Sequence, residues 1–298
     1  MPEYFFTYID GIPEQMKNKL FSMQHFLALA MVFTAWVVVL ILLRDRSPQS
    51  KWKAVSCMCF LLPLLEIAQM LWYKSVGEFS AGYTLPLHLC SLMSVILPVM
   101  AITRNRLLQE YSFAVGLTPA LMTLITPDVY YYPSLSFIYI QTMLVHGIIC
   151  LIPLSMVFCL GFRPDIRRLP KVIALLVGLA VIMIPINKLT GGNYFFLNYP
   201  AAGSPMETFA QAVGRPWYLV PTFILGCVLW SVSYLPFAGM KYIAQRKCAR
   251  REHLGKALRA GTSEAETKEP ALKMRHFHHS NLSSGFSAGP SSTVPSKL

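Results

Sequence analysis

Charged residues are scarce in this sequence. Of its 298 residues 13% are charged and only 14 are acidic, whereas 54% are hydrophobic. Ordinary soluble domains carry charge on about a quarter of their residues, so the scarcity argues against a soluble protein and predicts that most of the chain lies in lipid. At about 20 apolar residues per crossing, there is room for seven or eight spans and for no separate soluble catalytic domain. Any site must therefore lie between helices or in short loops.

Cysteines are lacking in the predicted outer loops. Six of the seven lie inside hydrophobic runs, and Cys248 lies in a basic C-terminal stretch. No disulfide framework is therefore predicted. The first 24 residues also lack a basic region followed directly by an apolar core and a small-residue cleavage site, so the first span is expected to direct insertion.

Seven apolar runs are present, each bounded by charged or turn residues. They predict an all-α bundle of seven transmembrane helices. The predicted spans are His25–Leu43, Trp52–Tyr73, Leu85–Ile102, Tyr111–Thr126, Leu135–Leu160, Lys171–Asn187 and Trp217–Phe237. The longest outer loop, 189–216, is rich in aromatic and turn residues and is expected to cover the bundle.

Basic residues divide unequally between the two sets of connecting segments. One set holds ten: Arg44, Arg46, Lys51, Lys53, Arg104, Arg106, Arg163, Arg167, Arg168 and Lys171. The other set holds five: Lys17, Lys19, Lys74, Lys188 and Arg215. Because cytosolic segments carry the excess of Lys and Arg, the N-terminus is predicted outside and the C-terminus in the cytosol. This arrangement needs an odd number of spans, and seven satisfies it.

The C-terminal stretch carries much of the net charge. From Lys241 onward there are eleven Lys or Arg against four Glu. Such a stretch is attracted to anionic inner-leaflet lipids by about 1 kcal/mol per basic residue, which favours membrane lipid over nucleic acid as its partner. The predicted organisation is an outer segment (1–24), the transmembrane domain (25–237), a basic juxtamembrane segment (238–260) and a disordered cytosolic tail (261–298), in the plasma membrane.

Polar side chains collect in the predicted outer half of the bundle. Such groups are costly in hydrocarbon and usually face a cavity or a partner. The candidate binding residues are Glu66, Gln69, Tyr139, Gln141, Thr142, Asn187 and Asn193, and the candidate catalytic residues are Cys90, His146 and His88. Each alone is typical of an interhelical hydrogen bond, but their one-sided clustering predicts an outward-facing pocket.

The residue types in this cluster allow nucleophilic chemistry. A cysteine, two histidines and a carboxylate supply a nucleophile, a base and an orienting acid. His88 and Cys90 would project about 200° apart on a helix, so a base for Cys90 has to come from another span, and His146 is the best placed. Zinc bound by His25, His88, His146 and Glu66 is conceivable, but no His-x3-His or Cys-x2-Cys spacing supports it. No metal and no cofactor are predicted.

Three motifs carry a family resemblance. They are LPLHLCSL (85–92), IYIQ (138–141) with His146 and Gly147, and NY followed by GRPWY (214–218). Together they resemble the bacterial YwaF-like integral membrane family, which is related to transmembrane protein 164, an animal acyltransferase that builds ether phospholipids. The resemblance spans about 52–237. It implies a seven-helix bundle that transfers or hydrolyses acyl chains of membrane lipids through a cysteine thioester.

The sequence departs from that pattern at the reactive positions. Leu87 stands where the animal enzyme has its cysteine, and Thr142 stands where it has a histidine after Tyr-Ile-Gln. Cys90 and His146 lie about one turn further along, so a shifted pair and loss of the activity are both open.

The leading prediction is a lipid acyltransferase or acyl hydrolase that acts on a membrane phospholipid. Cys90 is its nucleophile and His146 its base, while His88, Glu66 and Gln141 position the lipid. A non-enzymatic protein that binds or transports a small molecule through the same pocket is the alternative, and a purely structural role is the third.

Overall fold

The computed structural model describes residues 2–201 and 203–239, and helices dominate these residues. In lipid every backbone N–H must find its partner within the protein, and the apolar runs meet this requirement by coiling. The longer helices are α1 (Met23–Arg44), α2 (Pro48–Ser75), α3 (Met93–Thr103), α4 (Arg106–Tyr111), α5 (Leu117–Ile125), α6 (Phe137–Cys159), α7 (Leu169–Thr190), α8 (Pro205–Val213) and α9 (Leu219–Gly239). The predicted tail, and the juxtamembrane segment beyond residue 239, lie outside the described residues.

Five helices of the described chain are long and apolar enough to cross a membrane. They are α1, α2, α6, α7 with the turn before it (Ile166–Thr190), and α9. The shortest has 21 residues, or about 31 Å at 1.5 Å per residue, which matches the hydrocarbon core. The prediction of a helical multi-pass membrane protein is confirmed.

The third predicted span is wrong in its first part. Residues 81–92 form successive turns, and the helix begins only at Met93. Pro86 lacks an N–H and disfavours helical geometry at the residue before it, so LPLHLCSL winds irregularly into α3. The helical angle predicted between His88 and Cys90 therefore does not apply. With 11 residues, α3 is about 17 Å long.

The fourth predicted span begins earlier in the structure than the sequence suggests. Helical backbone runs without a break from Arg106 to Ile125 through α4, a π-helical segment at Ser112–Gly116, and α5. All five residues of the π segment are buried. A π segment adds a residue to the helical turn and often marks a functional region.

The central helix of the described chain is α6, which contacts α1, α2 and α5. It begins at Phe137, two residues after the predicted start, because the Ser136 hydroxyl caps its first turn. On α1, the Trp36 indole donates to the Gly147 carbonyl over 2.9 Å. A Cβ at Gly147 would lie 3.2 Å from Val32, so the glycine allows α1 and α6 to approach closely.

The N-terminal segment packs across one end of the helices. Phe5 accepts a hydrogen bond from the Phe137 backbone, Phe6 accepts one from the Trp72 indole, and Asn18 donates to Tyr131. We call this end the amino-terminal face; it contains segments 3–22, 76–92, 126–136, 191–201 and 203–218. The opposite end, with segments 45–47, 104–105 and 160–168, is the basic face.

A buried carboxylate joins three elements at the basic face. Glu110 on α4 is fully buried and accepts hydrogen bonds from the Tyr234 hydroxyl of α9 at 2.9 Å and the Asp165 backbone at 3.2 Å. Arg106 pairs with it at 2.9 Å. A buried charge is stable only when it is paired and hydrogen-bonded, and Glu110 has both kinds of partner.

Glu110→Ala is expected to destabilise the protein by about 3 kcal/mol, because it leaves the Tyr234 hydroxyl without its partner and the Arg106 guanidinium without its counter-ion. Thermal unfolding in detergent should show a Tm lower by about 6 °C or more. Glu14→Ala removes an exposed ion pair with Lys17 and serves as the control, with little effect expected. Equal Tm values for the two variants would contradict the role of Glu110.

Candidate functional site beneath the amino-terminal face

Cys90 lies where the irregular segment 85–92 meets α2 and α5. The Thr123 hydroxyl of α5 is within hydrogen-bonding reach of its thiol, and the Glu66 carboxyl of α2 is close enough to interact with it. Atoms surround Cys90 on all sides, yet part of its surface remains accessible. The thiol is therefore surrounded by protein but remains partly accessible.

Glu66 fixes the same segment from the side of α2. Its side chain is 5% exposed, and the Ser91 hydroxyl lies within hydrogen-bonding reach of its carboxyl group. The carboxyl group therefore interacts with Cys90 and with the residue that follows it. Because α2 and α3 pack together, this contact also sets the entry of the chain into α3.

His146 on α6 has a defined proton arrangement. Its Nδ1 lies 2.8 Å from the Thr142 carbonyl oxygen. A carbonyl only accepts, so Nδ1 carries the proton, and in the neutral ring the lone pair is on Nε2. No described residue forms a hydrogen bond with that Nε2. The ring is partly accessible although atoms surround it closely.

Cys150 links the His146 side of α6 to Cys90. It lies four residues after His146, and residues with this spacing share one helix face. Cys150 interacts electrostatically with Cys90, while its own thiol points at the Leu117 carbonyl over 3.7 Å. Cys90 therefore lies near Cys150, one helical turn along α6 from His146.

Sequence reasoning missed three residues of this cluster. Asp128, in the loop before α6, interacts electrostatically with His88, Cys90 and His146. The hydroxyl of Tyr111, at the end of α4, has no partner among the described residues and lies near Cys90. The Thr123 hydroxyl lies within hydrogen-bonding reach of the thiol. Of the three, only Asp128 could have been identified from the sequence, since it is the one acidic residue between Glu110 and Asp165.

Gln69 and Gln141 bond to each other rather than to a free space. The Gln141 amide donates to Gln69 Oε1 at 3.2 Å and to the Leu65 carbonyl at 3.4 Å. These bonds fasten α6 to α2 one turn from Glu66. The pair therefore positions the carboxylate and offers a ligand little donor capacity.

Tyr139 and His25 form a second closed pair. His25 Nε2 donates to the Ile125 carbonyl at 3.2 Å, so its Nδ1 accepts from the Tyr139 hydroxyl at 3.0 Å. Both ring nitrogens are used in tying α1 to α5 and α6. Among the described residues, no group of three or more His, Cys, Asp or Glu side chains has an arrangement that could hold a metal ion.

Asn187 and Asn193 organise the loop that follows α7. Asn187 accepts from the Tyr194 N–H at 2.7 Å and donates to its carbonyl at 3.0 Å, and Asn193 bonds to the backbone of Asn198 and Tyr199. Both amides are thus occupied within the loop. In the structure this segment also contains the short helix α8, which the sequence analysis did not predict.

The loop after α7 covers the irregular segment around His88. The His88 ring lies 4.8 Å from the Tyr194 ring and 5.7 Å from the Phe196 ring, measured between centroids. The Tyr194 hydroxyl donates to the Ala81 carbonyl at 2.7 Å, and burial raises the pKa of Tyr194, which keeps it a donor. The His88 Nε2 atom is buried and has no partner among the described residues.

Asn187→Ala is expected to loosen this cover, because it leaves both backbone groups of Tyr194 unpaired at a cost of about 1–3 kcal/mol. Hydrogen exchange should accelerate in residues 191–200 by roughly tenfold or more. Lys188→Ala, at the exposed neighbouring position, is the control and should leave exchange unchanged. Protection as strong as in the wild type would show that the Asn187 amide does not hold the loop.

Comparison with known proteins gives the family. The model of the TMEM164 family matches residues 20–234. The chain belongs to the TMEM164 family. The matched region begins before α1, ends within α9 and contains every candidate site residue, so these residues are part of the TMEM164-family domain. Searches of curated proteins and of solved structures returned no match. The resemblance to bacterial YwaF-like proteins stays a prediction.

Proposed function

We propose that this TMEM164-family protein transfers acyl chains of membrane phospholipids through a thioester on Cys90. One observation carries the proposal: a partly accessible thiol lies beside a buried carboxyl group and near Cys150, one helical turn from a histidine whose Nε2 lone pair no described residue uses. A nucleophile and a base from different elements are the parts that acyl transfer requires. The groups would share one chamber that opens toward the amino-terminal face.

The first half-reaction makes the thioester. His146 Nε2 takes the thiol proton of Cys90 as Sγ attacks the ester carbonyl carbon of the phospholipid. The carbon–oxygen bond of the ester then breaks, and the lysophospholipid oxygen leaves with the proton that His146 returns. In the second half-reaction an acceptor hydroxyl attacks the thioester and regenerates the thiol; with water as acceptor the protein is a hydrolase.

The other groups position the reactants. Asp128 stabilises the imidazolium that forms on His146, since its carboxylate interacts with that ring. Glu66 holds the Cys90 segment through Ser91. The Tyr111 hydroxyl supplies an unpartnered donor for a lipid carbonyl. His88 Nε2 supplies an unpartnered acceptor for a headgroup donor, because the ring donates to the Tyr83 backbone through Nδ1. Gln141 acts indirectly, through the contact of α6 with α2.

The experiment uses purified protein in nanodiscs with a phospholipid labelled in one acyl chain and an unlabelled lysophospholipid acceptor. Labelled acyl chains should appear in the acceptor or as free fatty acid. Failure of the wild-type protein to move the label across several phospholipid classes would contradict the proposal. That result would favour the second candidate, a non-enzymatic binding protein. Leu87 and Thr142 support this candidate, because they stand where the resemblance expects a reactive cysteine and a histidine.

We also propose seven crossings, in which α3 with its preceding turns and the run from α4 to α5 complete the five long spans. The amino-terminal face then lies outside. A single cysteine at Glu78 in a background lacking the native cysteines should react with a membrane-impermeant maleimide on intact cells, while one at Asp45 should react only after permeabilisation. The reverse pattern, or equal labelling, would contradict this topology.

The membrane in which the protein resides and the attraction of the basic tail to anionic lipids also remain proposals. The plasma membrane is the proposed location. The tail beyond residue 239 would add electrostatic attraction to the cytosolic leaflet.

A further inference from the structure

An open groove of about 440 Å³ lies at the basic face, far along α2 from Glu66. It is lined by the first turns of α2, including Trp52, Lys53 and Phe60, and by Arg104 at the end of α3. It shares no lining residue with the site around Cys90. A ligand in this groove would therefore be separate from the substrate of the Cys90 site.

The groove carries positive charge without a counter-ion. Lys53 and Arg104 line it, and none of the described acidic residues does. In the described part of the chain, neither side chain forms a salt bridge. An anionic group bound between them would meet two cations and no opposing carboxylate.

The position of Arg104 is built into the fold. Its backbone is left-handed, with φ 51°, and ends α3; this conformation costs energy for a residue other than glycine. The turn brings the guanidinium over the Trp52 ring, 5.0 Å from the centroid. The indole is fixed in turn by donating to the Ala101 carbonyl over 3.2 Å.

The groove becomes apolar in the direction of the membrane interior. Cys57 and Phe60 follow Lys53 on α2 at spacings of four and seven residues, which place them on the same helix face. Both are exposed, and Phe60 is 46% exposed. The groove thus runs from a pair of cations to an apolar wall.

We propose that this groove binds one anionic phospholipid of the leaflet at the basic face. The phosphate lies between Lys53 and Arg104, and an acyl chain runs along Phe60. This site is separate from the acyl-transfer chamber and from the basic tail. By the distribution of basic loops, its leaflet is the cytosolic one, which carries anionic lipid.

The test follows alkylation of the exposed thiol of Cys57, which lines the groove. The full chain is placed in nanodiscs of phosphatidylcholine with increasing phosphatidylserine, and modification of the Cys57 peptide by a small maleimide is followed by mass spectrometry. Anionic lipid should slow the reaction. At the phosphatidylserine fraction that half-protects the wild-type protein, Lys53→Ala/Arg104→Ala should be protected by only about 4%, since each basic residue contributes about fivefold to the affinity and the two together about 25-fold.

Three controls make the result decisive. Arg167→Ala/Arg168→Ala removes two exposed charges from the same face outside the groove and should leave protection unchanged, and Lys53→Arg/Arg104→Lys should restore it. Inorganic phosphate alone should not protect. Equal loss of protection in the two alanine pairs would reduce the effect to general surface charge. Protection that survives Lys53→Ala/Arg104→Ala, or that inorganic phosphate reproduces, would overturn the lipid site.

Discussion

Cys90→Ser is expected to lower acyl transfer from a labelled phospholipid by roughly 10³-fold or more, since loss of a nucleophile removes the covalent route. The substitution keeps the size of the side chain and its reach to Thr123, but a serine hydroxyl ionises far less readily than a thiol. Rates in nanodiscs, measured with excess phospholipid, report this loss in kcat.

The matched control is Cys227→Ser, which changes a half-buried cysteine of α9. It should retain the wild-type rate. Equal rates for Cys90→Ser and the wild-type protein would remove Cys90 from the mechanism, whereas equal losses in both cysteine variants would point to a general sensitivity of the fold.

His146→Gln is expected to slow the reaction by roughly 10²–10⁴-fold, the range that a positioned general base contributes. Glutamine keeps a polar side chain on the same face of α6 but cannot take the thiol proton. The initial rate of thioester formation should fall, and the rate should rise more steeply with pH, because the thiolate must then form without a base.

The control for His146 is His25→Gln, which removes a histidine that the structure gives a linking role. This variant loses the bonds to Tyr139 and Ile125, so its Tm should fall while the folded fraction keeps its rate. A His146→Gln protein with normal rate and normal pH dependence would contradict the assignment of the base.

The long spans were predictable because the bilayer imposes a simple rule. An apolar run of about 20 residues must coil to satisfy its backbone in lipid, and α1, α2, α6, α7 and α9 follow that rule within a few residues. The third span was harder, since Leu85–Ile102 is equally apolar throughout. Pro86 disfavours helical backbone at Leu85, but no residue in the sequence indicates that the helix starts only at Met93.

The candidate site was predictable only in part. Periodicity says which residues share a helix face, but it does not say which faces meet. Glu66 and Cys90 do come together, whereas Tyr139 pairs with His25 and Asn187 holds its own loop. Such pairings depend on how helices rotate and pack.

The missed residues have a related cause. Asp128 lies in a loop, and only the packing of that loop against the bundle brings its charge near His146. Tyr111 looks like an ordinary apolar residue of a span, and its unpartnered hydroxyl becomes visible only in three dimensions.

Trapping the acyl intermediate tests the central claim most directly. The protein is mixed with a phospholipid labelled in one acyl chain, quenched in acid within seconds and digested, and the peptide that contains Cys90 is analysed by mass spectrometry. The predicted result is an acyl chain on Cys90 that hydroxylamine releases and that accumulates when no acceptor is present. Turnover of the phospholipid with no acyl chain on Cys90, or with the chain on another residue, would contradict the account.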